Sequence, residues 1–223
     1  MTKFPFDIIG FDLDGTLLDT SGDLTAAVNH ALALVNRTPL TPDAVKPMIG
    51  GGAKLMLEHG LNATGGIPVE EFKPLYRALL RYYEDHIAVH TRPFPGALDV
   101  LDQLDAMGVK YAVVSNKFES LCTKALGELG LLERMETVIG GDTLGKDNAK
   151  PSAAPIHEMV ARCGGGRAAF IGDSIYDTMA ARNAGIPSVA CSFGFLMHSI
   201  EEMNADAVID HFDELIAVLQ RLG

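Results

Sequence analysis

The sequence predicts an α/β protein in which a parallel sheet is covered by helices and an all-helical segment is inserted after the first strand. Three observations carry this reading. Short apolar runs rich in Val, Ile or Phe recur along the chain, and each is too short for a helix. From residue 94 onward they alternate with helix-length stretches of helical periodicity. Residues 20–90, by contrast, hold helical patterns and no strand-like run. Strands buried on both faces read as continuous apolar runs, and alternation with helices requires right-handed parallel crossovers. The expected architecture is therefore a Rossmann-like three-layer α/β/α core of residues 1–19 and 91–223, with a small helical domain at 20–90.

Taken in order, the first strand is Phe6–Phe11, which ends in a cluster of Asp and Gly. The insert opens with a helix to about Asn36, capped by Ser21 or Asp23, with Leu24, Val28, Ala31 and Leu32 along one face. Two short helical pieces follow, separated by Gly50-Gly51-Gly52, and then a long helix from about Glu70 to Ala88. Pro93-Phe94-Pro95-Gly96 marks the return to the sheet. A helix at Ala97–Met107, with Leu98, Leu101 and Leu104 at helical spacing, stops at Gly108. Further strands are expected at Tyr111–Val114, Thr137–Ile139, Ala168–Ile171 and Ser188–Ala190. Helices are expected at Glu119–Leu129, from near Pro155, and at Ser174–Ala184.

Composition narrows the function. The chain has 223 residues, 48% of them apolar and 21% charged, which gives enough apolar surface for a packed core and excludes a disordered polyelectrolyte. No run of about 18 apolar residues is present, and Asp7 and Asp12 interrupt the only apolar N-terminal stretch. A soluble cytoplasmic protein with neither a membrane span nor a signal peptide is expected. A net charge of −11 argues against broad nucleic-acid binding. Residues 20–90 carry six basic and seven acidic side chains, so nearly all the excess lies in the predicted core. An anionic substrate there needs a metal ion or a local cluster of donors. Cys122, Cys163 and Cys191 are odd in number and far apart, as reduced thiols packed like small hydrophobes would be.

The chemistry concentrates where predicted strands end. Phe11-Asp12-Leu13-Asp14-Gly15-Thr16-Leu17 closes the first strand, and strand alternation would put Asp12 and Asp14 on one side. Two close carboxylates call for a cation or proton between them, and Gly15 lets the chain turn at the sheet's carboxyl end. Val114-Ser115-Asn116-Lys117 ends the second strand with a hydroxyl donor. Lys150-Pro151 presents one ammonium ahead of a helix. Gly172-Asp173-Ser174-Ile175-Tyr176-Asp177 ends a later strand with two carboxylates four residues apart.

In this order, these four segments resemble the motifs of the haloacid dehalogenase superfamily, specifically its phosphatases with a helical cap. The resemblance covers essentially the whole chain, and its specificity lies in the four segments together. It implies that Asp12 is the nucleophile that takes a phosphoryl group as an aspartyl-phosphate, and that Asp14 is the general acid and base. It implies Mg2+ held by the Asp12 carboxylate, the Asp14 backbone carbonyl and Asp173, with Asp177 nearby. Ser115, Lys150 and backbone amides near Leu13 and Asn116 would hold the phosphate oxygens. Leu40-Thr41-Pro42 through Ile49-Gly50-Gly51, and Tyr83 through Gly96, resemble the phosphoglycolate phosphatases in particular. That resemblance implies a small phosphorylated metabolite as partner, with the Gly50-Gly51-Gly52 loop and Lys54 receiving a carboxylate. A monomer or homodimer is expected, with hinges near Asp19-Thr20 and at Pro93–Gly96.

Other readings are weaker. A true dehalogenase of the superfamily lacks a carboxylate at the position of Asp14 and needs no metal. A phosphomutase, or a phosphatase for sugar phosphates, nucleotides or pyrophosphate, shares these motifs and stands as the alternative. A non-catalytic module would be expected to carry a damaged motif. Gly140–Lys146 reads GGDTLGK, close to a P-loop, but Asp147 stands where Ser or Thr is required. His86 and His90 are spaced like zinc ligands, yet Ile87 replaces the needed Glu, so both read as helix-surface residues. Lys73, Arg77 and Arg81 read as a solvated helix face, and the absence of a GxSxG elbow removes the serine hydrolases.

Overall fold

Strand β1 (Ile8–Phe11) takes the centre of a six-stranded, wholly parallel sheet. The computed structural model describes residues 4–67, 70–145 and 147–223. On one side of β1 lie β4 (Lys110–Val114) and β5 (Val138–Ile139). On the other lie β6 (Ala168–Gly172), β7 (Ser188–Cys191) and β8 (Ala207–Ile209). Register is set across the centre, with Ile9 opposite Tyr111 and Ala169, and Phe11 opposite Val113 and Ile171.

Alternation along each strand divides the core in two. Ile9, Phe11, Tyr111, Val113, Ala169 and Ile171 face helices α5 (Ala97–Met107) and α10 (Leu215–Leu222). Ile8, Ala112, Val114, Ala168 and Phe170 face α7 (Ala154–Arg162) and α8 (Ile175–Ala184). A period-two pattern with both faces apolar produces this three-layer arrangement. Helix α6 (Glu119–Glu128) follows β4, and the short α9 (Ile200–Met203) precedes β8.

Between β1 and α5 the chain builds the insert from α1 (Ser21–Ala33), α2 (Pro42–Val45), α3 (Ala53–Ala63) and α4 (Phe72–Asp85). These helices share a core of Leu24, Val28, Leu32, Met56, Leu57, Leu61, Leu75, Leu79 and Tyr83, which also meets Leu121, Ala125 and Phe195 below it. The two connections to the sheet run side by side as an antiparallel ribbon of β2 (Leu18–Asp19) and β3 (Arg92–Pro93). Among the described residues, no helix is long and apolar enough to cross a membrane.

Several details differ from the sequence reading. The first strand begins at Ile8 rather than Phe6, and β8 had no sequence signal, being three residues long with Val208 44% exposed. Leu98 lies outside the core, where Ala97, Val100, Leu101 and Leu104 pack instead. Neither Ser21 nor Asp23 caps α1. The N-cap is Thr20, Ser21 bonds Asp19, and the buried Asp23 carboxylate accepts from the backbone of His90 and Thr91 and from the Thr91 hydroxyl. Helix α4 ends at Asp85 because His86 leaves helical geometry, with φ −131° and ψ 36°, so His90 lies in the return segment and not on a helix. Lys73, Arg77 and Arg81 are exposed on α4, and the three cysteines are buried and free. Lys146, the lysine of the P-loop look-alike, lies outside the described residues.

Candidate active site

The parallel sheet brings the carboxyl ends of β1, β4 and β6 together, because adjacent parallel strands end on the same edge. Asp12 follows β1, Ser115 follows β4 and Asp173 follows β6, and all three are buried. Strand order switches sides at β1, with β4 and β5 added on one side and β6 to β8 on the other, which is where open α/β sheets leave a crevice. Asp14 is not placed by strand alternation, since β1 has already ended at Phe11. It sits in the turn closed by Gly15 N–H donating to the Leu18 carbonyl at 2.9 Å.

Asp12, Asp173 and Asp177 each direct one carboxylate oxygen into a common space, those oxygens lying within 4.8 Å of one another. Glycine makes this crowding possible. Gly15 has φ +85°, and a Cβ there would lie 2.2 Å from Asp173 Oδ2. A Cβ on Gly194 would lie 2.2 Å from Asp173 Cβ and 2.6 Å from the Gly15 carbonyl oxygen. Asp173 is further fixed by Thr16, whose hydroxyl donates to Oδ1 at 3.0 Å, and by the Phe195 N–H, which donates to Oδ2 at 2.7 Å. Asp177 sits at the third position of α8 and closes a capping box, its Oδ2 accepting from Ser174 N and Oγ.

Lys150 joins the cluster. Its ammonium donates to Asp12 Oδ1 at 2.8 Å, Asp177 Oδ1 at 2.6 Å and the Val114 carbonyl at 2.7 Å, which uses all three of its protons. A second buried ammonium, that of Lys117, donates to Asp14 Oδ1 and to the Tyr83 hydroxyl, the latter at 2.7 Å. Thr20 also donates to Asp14 Oδ1, at 2.7 Å. Ser115 Oγ accepts from the Lys117 N–H at 3.3 Å, and the Asn116 amide donates to the carbonyls of Gly50 and Lys150. Asn116 thus ties the insert to the sheet.

The electrostatics leave room for a dication. Four buried carboxylates, Asp12, Asp14, Asp173 and Asp177, face two buried ammonium groups, Lys117 and Lys150. Burial pushes the Asp12 carboxyl up to about 6, with Lys150 opposing and Asp177 and Asp14 adding to the rise. Burial likewise raises Asp173 well above the usual carboxylate range, helped by Asp12 and Asp177. Burial alone would lower the Lys150 ammonium, but Asp12 and Asp177 carry it upward, so it stays charged. Hard oxygen donors with excess negative charge suit a small divalent cation, and Asp12, Asp173 and Asp177 are the residues able to hold one.

A cavity of about 80 Å³ opens beside Asp14 between insert and sheet. Its lining includes Gly50, Gly52, Ala53, Tyr83, Asn116 and Lys117. Gly51 packs near Leu55 and Tyr176. Lys54 stands apart: its side chain is exposed and its nearest ion-pair partner is Glu58, at 3.8 Å on the same helix. The sequence reading therefore names residues that the fold gathers, Lys54 excepted, but it gives no role at the site to Thr16, Tyr83 or the Lys117 side chain, and it names Thr20 only as part of a hinge. Thr16 and Lys117 lie inside quoted motifs and were within reach. Tyr83 opens a segment quoted for its resemblance, but nothing local pairs it with Lys117, 34 residues away.

Comparison with known proteins gives a consistent picture. The model of the haloacid dehalogenase-like hydrolases matches residues 9–191. A phosphoglycolate phosphatase of Caulobacter vibrioides is 41% identical over 207 residues, covering 92% of this chain and 86% of the relative. Another, of Agrobacterium fabrum, is 36% identical over 98% of this chain and 95% of its own length. A crystal structure of a predicted phosphoglycolate phosphatase from Haemophilus somnus superposes with a TM-score of 0.88 at 29% identity, covering 98% of this chain and 99% of the other.

Proposed function

The chain belongs to the haloacid dehalogenase-like hydrolases, and from that premise we propose that it is a magnesium-dependent phosphatase that converts 2-phosphoglycolate to glycolate and phosphate through an aspartyl-phosphate. The observation that carries the chemistry is the buried cluster of Asp12, Asp173 and Asp177 with Lys150 on Asp12. The choice of substrate is supported by the phosphoglycolate phosphatases of Caulobacter vibrioides and Agrobacterium fabrum, which match nearly the whole chain.

A phosphate monoester dianion is repelled by carboxylates, so the site must first offset its own charge. Magnesium, held by the carboxylates of Asp12 and Asp173 and the Asp14 carbonyl, with Asp177 nearby, would supply two positive charges and polarise the phosphoryl oxygens. Lys150 occupies Asp12 Oδ1 and leaves Oδ2 as the attacking oxygen. A bond forms from that oxygen to phosphorus while the ester P–O bond breaks, and the leaving alkoxide takes a proton from Asp14. Water then attacks the phosphorus of the acyl phosphate, giving its proton to Asp14 and restoring the Asp12 carboxylate. Ser115 and the adjoining amides receive the non-bridging oxygens. Thr20 and Lys117, both on Asp14 Oδ1, hold that carboxyl so that Oδ2 is the oxygen left to carry the proton.

The helices of residues 20–90 act in this reading as a cap that closes over the substrate and excludes water, moving about the β2–β3 ribbon and the Pro93–Gly96 turn. The test is phosphate release by purified protein from a panel of phosphate esters. Turnover is expected to be highest on 2-phosphoglycolate and to stop on chelation of magnesium. Asp12→Asn should abolish both turnover and trapped phosphoenzyme by at least about 10³-fold while the fold is retained. Full activity after chelation, or near-normal rates for Asp12→Asn, would overturn the mechanism. A preference for hexose phosphates or nucleotides would overturn the substrate alone.

A further inference from the structure

Of the two ammonium groups buried at this site, Lys150 has all three protons engaged, whereas Lys117 has only two partners, Asp14 and Tyr83, among the described residues. Lys117 is 8% exposed and lines the cavity, the only lysine or arginine among the described residues to do so. Its ammonium is ion-paired with the buried Asp14 carboxylate. Tyr83 comes from the insert helix α4 and also presents its ring 4.9 Å from the ammonium. Gly52 and Ala53, at the start of α3, line the same cavity, and the N-cap Gly52 supplies no side-chain acceptor to the first turn of that helix. The Asn116 amide is spent on the Gly50 and Lys150 carbonyls, so the donor left for a ligand in the space next to the general acid, where the leaving group of a phosphate ester must sit, is the Lys117 ammonium.

We propose that Lys117 is a specificity-determining residue that receives the carboxylate of the leaving group on its third N–H, with Tyr83 holding the ammonium in place from the insert. The inference rests on the reading of the substrate as a small phosphorylated acid and adds the residue that recognises the acid. Its logic is one of charge. A carboxylate enclosed in a cavity of about 80 Å³ requires a cation there. Lys54, the lysine nearest in sequence to the glycine loop, is exposed and turned to Glu58. Because Tyr83 travels with the insert, the pairing is complete only when the insert is seated on the sheet, which couples recognition of the acid to closure.

The test compares 2-phosphoglycolate with ethyl phosphate, which replaces the carboxylate by a methyl group. The readout is the ratio of kcat/KM for the two esters, since any effect of Lys117 on proton transfer through Asp14 is common to both. Lys117→Met is expected to lower that ratio by at least about tenfold, the scale of a lost charge-assisted hydrogen bond, mainly through KM for 2-phosphoglycolate. Tyr83→Phe keeps the ammonium and is expected to lower the ratio several-fold; it decides the matter if Lys117→Met fails to fold by circular dichroism. Equal losses on both esters in the folded variants would overturn the assignment and leave Lys117 as a partner of Asp14 alone. A wild-type enzyme without preference for 2-phosphoglycolate would overturn the substrate reading and this inference with it.

Discussion

Lys150→Met probes the electrostatic logic of the site, because methionine keeps most of the volume of the stem and removes the ammonium with its three hydrogen bonds. The ammonium lies 2.8 Å from Asp12 and 2.6 Å from Asp177, with side-chain exposures of 2%, 5% and 1% for Lys150, Asp12 and Asp177. At an effective dielectric of ~20 each contact represents roughly 6 kcal/mol of Coulomb attraction. Much of this is offset by the cost of burying the charges, and deletion of one partner of such a pair typically leaves a net loss of about 3–5 kcal/mol. For a chain of this length that corresponds to a fall in Tm of roughly 6–20 °C. Urea unfolding in EDTA, followed by two probes, measures the loss. Added magnesium is expected to recover part of it, since the orphaned carboxylates regain a cation and binding to the native state stabilises by mass action. A loss below about 1 kcal/mol in EDTA, or a deficit that magnesium leaves unchanged, would refute the charge balance from which the metal site is argued.

Two further substitutions probe features away from the reacting atoms. Gly194→Ala places a Cβ 2.2 Å from that of Asp173 and 2.6 Å from the Gly15 carbonyl oxygen, so Asp173 must shift; magnesium affinity, measured by calorimetry, should fall at least about tenfold, as when the support of a metal ligand is removed, and unchanged affinity would count against Asp173 as a ligand. Asp23→Ala removes the acceptor of the His90 and Thr91 N–H groups and the Thr91 hydroxyl. A loss of about 2–4 kcal/mol is expected from buried donors left unsatisfied, together with faster hydrogen exchange at those two amides, and unaltered exchange would show that the return of the insert is held by packing alone.

The sheet and the polar cluster at its carboxyl edge were legible in the sequence because both follow from local rules. Tyr111–Val114 and Ala168–Ile171 are apolar at every position, which marks strands covered on both faces, and the polar clusters that interrupt such runs must fall at strand ends. In a parallel sheet those ends lie on one edge, so Asp12, Ser115 and Asp173 had to be neighbours once the alternation was recognised. The exposed edge strand Ala207–Ile209 lacked this signal, being short and half-solvated. What only the tertiary structure decided is who pairs with whom. Asp23 has the spacing of a helix cap, yet it is drawn to an anchor 67 residues away, because a buried carboxylate takes the donors that folding brings to it. Lys117 finds Asp14 across 103 residues and Tyr83 across 34, while Lys54, beside the glycine loop, turns to solvent and Glu58. Backbone periodicity is written within a few residues and survives in the sequence. The partner of a buried charge is set by which elements pack against it, and no local pattern encodes that.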